Sequence, residues 1–169
     1  MLKRARESAH PPAIEYLQLA IEDIDFAPEQ FDIVISSLAF HYVENFAAVC
    51  EKVYHALKSG GSFVFSIKHP IFIALAAQDW FHNNARSRMH WPLDGYQDEG
   101  KRIARFLDND VIKYHRKLET HIHALIYAGF QIKKISEPQP LKEVLEEYPE
   151  MKDETRHPIF LLIAAVKNS

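Results

Sequence analysis

The 169-residue chain has only five glycines, and none precedes Gly60. The GxGxxG dinucleotide fingerprint is absent, which argues against a nicotinamide-dependent oxidoreductase. A single cysteine excludes an intrachain disulfide and a cysteine-only zinc site. No stretch approaches the ~20 apolar residues of a membrane span. The N-terminus is charged and has no apolar core segment, so no signal peptide is read there. A soluble cytoplasmic protein is the default expectation. The net charge of −3 gives no general argument for nucleic acid or an anionic membrane. Lys3, Arg4 and Arg6 read as one solvated face of a short basic helix over Met1–Ser8. Ten histidines are present, but their spacing does not suit a metal. There is no HExxH, and His121 and His123 are two apart on a predicted helix, so they point to different faces.

Hydrophobic residues make up 47% of the chain, enough for one domain with a real core. The stretch Phe31–Pro70 carries the clearest signal. FDIVISSLAF is a nearly continuous apolar run, as expected of a strand buried on both faces of a parallel sheet. Asn45 is placed to cap a helix whose apolar stripe is Phe46, Val49, Cys50, Val53 and Leu57. On that stripe Cys50 reads as a packed small residue rather than a nucleophile. Ser59-Gly60-Gly61 is expected to stop the helix, with glycine at the left-handed C′ position. SFVFSI then forms a second buried strand ending at Lys68-His69-Pro70. The pattern is a βαβ crossover with two parallel neighbouring strands. Ligands in such sheets sit outside the carboxyl ends of the strands, here at Ser36, Ser37, His41, Tyr42, Lys68 and His69.

Elsewhere, AIEYLQLAI reads as a strand over about Ala13–Ile21. The region from Ile71 to about residue 116 is long, aromatic and polar together, with Trp80, Trp91 and Tyr96. It is expected to be a cap or lid over the strand ends. Asp108-Asn109-Asp110 marks a hairpin turn inside it. A helix from Leu118 ended by Gly129, a strand at Phe130–Ser136, a short helix near LKEVLEE and an apolar strand at Pro158–Val166 complete the chain. His69-Pro70 is a candidate for a cis peptide bond.

FDIVISSLAFHYVENF followed by HALKSGGSFVFSIKHPIF resembles the middle of a class I S-adenosylmethionine-dependent methyltransferase. The similarity extends to the bacterial small-molecule branch with a His-Pro-(Ile/Val)-Phe turn. LDGY after HWP, KYHRKLETHIHALIYAGF and HPIFLLIAAVK continue it to about Lys167. The resemblance implies an α/β, Rossmann-like sheet, mostly parallel with a C-terminal antiparallel hairpin, over one partial domain at 1–169 with a cap at about 71–116. It also implies that the first βαβ unit with its glycine-rich loop is lacking, so that the chain is N-terminally truncated.

The cofactor implied is S-adenosyl-L-methionine, bordered by Ala20, Ile21, Glu22, Ser36, Ser37, Leu38 and His41. In the family an Asp often holds the adenine where this chain has Ala20. Glu22 is alternatively a solvated turn residue, and the two serines alternatively pack closely. His41, Tyr42, His69 and His115 are the candidate catalytic residues, each with a structural alternative. Tyr114 and Arg116 could contact an anionic or phenolic acceptor. The partner implied is a small-molecule methyl acceptor, with neither nucleic acid nor membrane. Two function classes stay open: methyl transfer impaired by loss of the glycine turn, or a non-catalytic remnant or half of a split protein. In both, this chain alone is expected to bind the cofactor weakly or not at all. The edge of FDIVISSLAF is expected to be unpaired and to invite self-association.

Overall fold

The structure, a computed structural model, describes residues 14–168. The basic helix expected over Met1–Ser8 lies outside them. Residues 14–20 have no sheet partner among the described residues and run into a 3₁₀ turn at Ile21–Asp23; of the strand expected over Ala13–Ile21, Ala13 lies outside the described residues and the rest is not formed. Its loose alternation met the period of a strand, but a strand also needs a ladder partner, and Ile14, Leu17 and Leu19 are exposed.

Strand β1 (Phe31–Ser37) leads into helix α1 (Phe46–Ala56) and strand β2 (Leu57–Lys68). The two strands are parallel neighbours, paired from Ile33–Ser62 to Ser37–Ser66. Asn45 caps α1, its side-chain oxygen accepting from Ala48 N–H at 3.1 Å. All five residues of the expected stripe are buried. Burial pushes the Cys50 thiol up to about 12, which leaves it unreactive at neutral pH.

The helix does not end on glycine. Leu57 is its extended C-cap, and Gly60, at φ +74°, belongs to an irregularity in β2. There β2 advances from Leu57 to Ser62 while β1 advances from Phe31 to Ile33. A Cβ on Gly61 would lie 2.8 Å from the Lys58 carbonyl oxygen, so this tight stretch demands glycine.

Four strands form the main sheet in the order β1-β2-β8-β7, with β7 at Phe130–Ser136 and β8 at Phe160–Lys167. Strand β8 runs antiparallel to both its neighbours, which gives the mixed sheet and the C-terminal antiparallel hairpin. One sheet face packs Phe63, Phe65, Ile67, Leu161, Ile163 and Ala165 against α1 and helix α3 (Leu118–Tyr127). The burial of β1 differs from expectation. Val34 packs on the core, but Ile33 and Ile35 are 52% and 69% exposed, and β1 is an edge strand among the described residues.

Between β2 and α3 lie the short helix α2 (Pro70–Ile73), a small ladder of β3 (Phe81–His82) with β4 (Arg88–His90), and a hairpin of β5 (Gly100–Phe106) with β6 (Asn109–His115). The hairpin turns at Leu107 and Asp108, both with positive φ. The His69–Pro70 bond is trans, because all described peptide bonds are. A short helix α4 (Lys142–Glu147) and a 3₁₀ stretch at Pro149–Thr155 lead into β8. The carboxyl ends of β1, β2 and β7 and the start of β8 share one edge of the sheet.

Candidate active site

The site is built on that edge. After Ser37 the chain turns at Leu38, whose φ is +51°. A side chain in this left-handed region costs about 1–2 kcal/mol. The turn is held because Leu38 N–H donates to the Ser66 carbonyl oxygen at 2.9 Å, with Ser66 Oγ at 3.2 Å. Backbone strain of this kind gathers at ligand sites. A 3₁₀ turn at Phe40–Tyr42 follows. Phe40 anchors it among the rings of Phe46, Phe63 and Phe65, with centroids 5.4–5.7 Å away.

This anchor buries His41, which is 3% exposed. Its Nδ1 accepts from Lys68 N–H at 3.4 Å, tying the loop after β1 to the end of β2. Burial first, then Lys113 and Lys68, lower its pKa to about 4. His41 is therefore neutral at pH 7. With Nδ1 accepting, its proton sits on Nε2. The Tyr42 ring lies 4.3 Å from the imidazole and is part-exposed.

At the end of β2, Lys68 Nζ lies 4.5 Å from the Phe72 ring and 4.4 Å from the Phe160 ring. Burial lowers its pKa, with Lys113 adding to the effect. Lys113 is buried on β6 and donates to Gln78 Oε1 at 2.8 Å. His69 caps α2, its Nδ1 accepting from Ile71 N–H at 3.1 Å, while Nε2–H donates to Glu137 at 2.9 Å. Both ring nitrogens of His69 are thus engaged.

The end of β6 brings Tyr114, His115 and Arg116 to a cavity of about 320 Å³, shared with Glu44, Glu99 and Thr120. His115 is fully buried. Its Nε2–H donates to the Tyr96 carbonyl at 2.9 Å, and Nδ1 has no partner. Burial lowers its pKa. Arg116 donates to the carbonyls of Val43 and Glu44, bolting the hairpin to the loop after β1. Loss of solvent, then the Glu44 carboxylate, raises the Tyr114 pKa, and Glu22 adds to it. Glu99 accepts from Lys117 N–H and the Thr120 hydroxyl, at 2.6 and 2.5 Å, and so covers the start of α3.

His41, His69 and His115 come together around His121 of α3, each helping to lower its pKa to about 3 after burial and Arg116. His123, two residues on, is exposed, as the helical spacing predicts. Ser36 and Ser37 pair with Phe65 and Ser66 beside this cluster. Ala20 precedes the 3₁₀ turn, Ile21 packs on the core, and the Glu22 carbonyl accepts from Lys52 of α1 at 2.6 Å. The Glu22 charge adds to the rise in the Tyr114 pKa, but Glu22 is not among the groups that act on His121.

The sequence reading overlooked Glu137, Gln78, Arg156 and His157. One available signal was His157-Pro158, which repeats His69-Pro70. The two dipeptides meet where His69 N–H donates to the Ile159 carbonyl at 2.8 Å. Among the described residues no group of three His, Cys, Asp or Glu side chains is arranged to hold a metal, and no helix is long and apolar enough to cross a membrane.

A family model described as a methyltransferase domain matches residues 1–65. An S-adenosylmethionine-dependent methyltransferase from Mesorhizobium loti is 38% identical, with a TM-score of 0.91 over 99% of this chain and 76% of that one. A Listeria monocytogenes structure assigned to the same enzymes is 46% identical, with a TM-score of 0.94 over 100% of this chain and 76% of that one. An uncharacterized Haemophilus influenzae protein is 36% identical over 151 residues, 88% of this chain, so the chain spans 59% of that relative's length. With such identity and superposition, the chain belongs to the class I S-adenosylmethionine-dependent methyltransferases, whose cofactor is S-adenosylmethionine.

Proposed function

We propose that the chain serves methyl transfer from S-adenosylmethionine to a small-molecule acceptor at the carboxyl edge of β1 and β2, beneath a cap formed by residues 71–116. One observation carries the reading: two parallel neighbouring strands end together, and His41 joins their ends in a buried setting. The residues present fit part of the cofactor. Ser36 and Ser37 are small residues at the strand end, Leu38 bends the backbone there, and Glu44 lines the cavity beside Tyr114, where its carboxylate would suit a cation. Ala20 and Ile21 would border the adenine beside Glu22. When bound, S-adenosylmethionine supplies the methyl group on a sulfonium.

Displacement at a sulfonium removes charge, so a dry and rigid site does much of the work. Positioning contributes ~7–11 kcal/mol in favourable cases. His41, neutral with Nε2–H as donor, and Tyr42 form the wall between donor and acceptor. His69 positions α2 through its cap and Glu137. His115 lines the cavity and keeps a buried Nδ1 that no described group engages, so of the four candidates it is the one with a free lone pair to take a proton from an acceptor hydroxyl or amine once the acceptor reaches it.

The glycine-rich turn that holds the methionine end in this family is absent from the sequence. Cofactor affinity of the chain by itself is therefore weaker than micromolar. Calorimetric titration with S-adenosylmethionine up to millimolar concentration tests this. Saturable heat that disappears in Ser37→Trp supports the reading. No heat at any concentration favours the non-catalytic remnant or half of a split protein, and a micromolar dissociation constant overturns the impairment. A second reading, binding without turnover and with self-association, is favoured by the exposed Ile33 and Ile35 on the edge strand β1.

A further inference from the structure

The cap and the start of β8 enclose a second cavity of about 340 Å³, lined by Trp80, His90, Trp91, Leu93, Arg156 and His157 among others. Its volume is at the small end of the ~300–1,000 Å³ usual for ligand sites, which suits a single-ring molecule. Its walls are flat. Trp91 stacks on Phe72 at 4.8 Å, Trp80 meets Trp91 edge-on at 5.6 Å, and His157 lies 4.1 Å from Trp91 and 5.1 Å from Trp80.

His157 is the unusual member. It is 8% exposed, and among the described residues neither ring nitrogen makes a hydrogen bond of good geometry. The Pro158 backbone raises its basicity, but burial is the larger effect and lowers it. A neutral imidazole carries one donor and one acceptor. Burying both unpaired costs stability unless something else uses them. The surrounding rings shield the nitrogens, so a ligand reaches them by wedging against the half-buried Trp91.

Charge narrows the class further. Aromatic boxes often take cations, but here resident cations already occupy the rings. The Arg156 guanidinium lies 4.6 Å from the Trp80 ring centre, and Lys68 Nζ lies 4.5 Å from that of Phe72. Asp153 pairs with Arg156 and Arg88 and Glu154 acts on Lys68 and His157, so the three cations Arg88, Arg156 and Lys68 face two carboxylates and the surroundings of the box stay net positive. A cationic ligand would be repelled.

We infer that this cavity binds a neutral or anionic planar aromatic molecule whose ring hydroxyl hydrogen-bonds His157 between Trp80 and Trp91. That the molecule is the methyl acceptor rests on the function proposed above; its binding does not. The cavity and His69 share one edge of the sheet, since His157-Pro158 leads into β8 opposite Lys68.

The chain's only two tryptophans line this cavity, so their fluorescence reports on it directly. The 169-residue chain is titrated with 4-hydroxybenzoate, with 4-methylbenzoate and with benzyltrimethylammonium. A saturable change is expected for 4-hydroxybenzoate, at least tenfold weaker binding for 4-methylbenzoate, and none for the ammonium. His157→Phe keeps the flat wall and should bring the two benzoates to equal affinity, with a melting temperature no lower than that of the natural chain confirming the fold. Equal affinity of the two benzoates in the natural chain, tighter binding of the ammonium, or no change with any of the three overturns the inference. Binding of 4-hydroxybenzoate with no heat from S-adenosylmethionine leaves the cavity assignment standing and separates its fate from that of the proposed function.

Discussion

Strands β1 and β2 lie side by side and read alike in sequence, yet they end in different surroundings. On β2, Phe63, Phe65 and Ile67 are essentially inaccessible, because β2 has β1 on one side, β8 on the other and α1 across one face. On β1, Ile33 and Ile35 stand in the open, because they point to the sheet face away from α1 and α3, and among the described residues β1 also has a strand neighbour on one side only. An apolar run therefore reports that a segment is a strand. How much of it is buried depends on the number of elements that come to cover it.

Core truncation should separate the two strands most sharply. Phe65→Ala removes a ring that touches Phe40, Phe46 and Phe63, and it should cost ~3–5 kcal/mol by urea denaturation. Ile35→Ala should change stability by less than about 0.5 kcal/mol. Similar losses for both would show that the outer face of β1 is covered in solution.

The next effect separates the sheet edge from the rest of the core. His41 and His121 are neutral when folded, with pKa values of about 4 and about 3, and titrate near the ordinary value of 6.5 when unfolded. Between those values the unfolded chain binds more protons, so stability falls as pH drops. It is fully present above pH 6.5 and is lost progressively toward pH 4, by on the order of 3 kcal/mol for His41. Urea midpoints from pH 7 to pH 4 measure the slope, and His121→Leu should flatten it. A flat profile in the natural chain would place these imidazoles in contact with solvent.

Legibility followed sequence distance. The stripe of α1 and its Asn45 cap were readable because each is a local pattern of a few residues; the hairpin was readable too, but its turn falls at Leu107-Asp108, and Asn109 and Asp110 already belong to β6. His41 and His69 were readable as strand-end residues. Their settings were not, because Glu137 meets His69 from 68 residues away. Lys113 and His157 look like ordinary polar residues until the hairpin and β8 enclose them. The missing strand at AIEYLQLA and the exposed face of β1 share one cause: periodicity specifies a strand's faces, and pairing partners decide whether the strand forms and what covers it. Gly60 misled because a glycine after a helical stripe is most often a C′ residue, whereas here it serves an irregularity in the following strand.

The smallest expected change in stability tests the open side of the comparison. Among the described residues, strand β1 presents unpaired backbone groups along its free edge and two isoleucines on its outer face. Such an edge is a template for pairing with a second copy, and a lysine on it blunts pairing by charge repulsion and by desolvation cost. Ile35→Lys should therefore leave the urea midpoint almost unchanged while lowering self-association in sedimentation velocity across a concentration series. Asp32, paired with Lys58 at 2.8 Å, marks the start of the same strand, so Asp32→Lys would add charge there but remove that pair, and its midpoint should shift more than that of Ile35→Lys. If the natural chain stays monomeric at the highest concentration, something already covers the edge. The contrast between β1 and β2 would then be one of which residue supplies the cover, and Ile35→Lys would become the destabilising substitution.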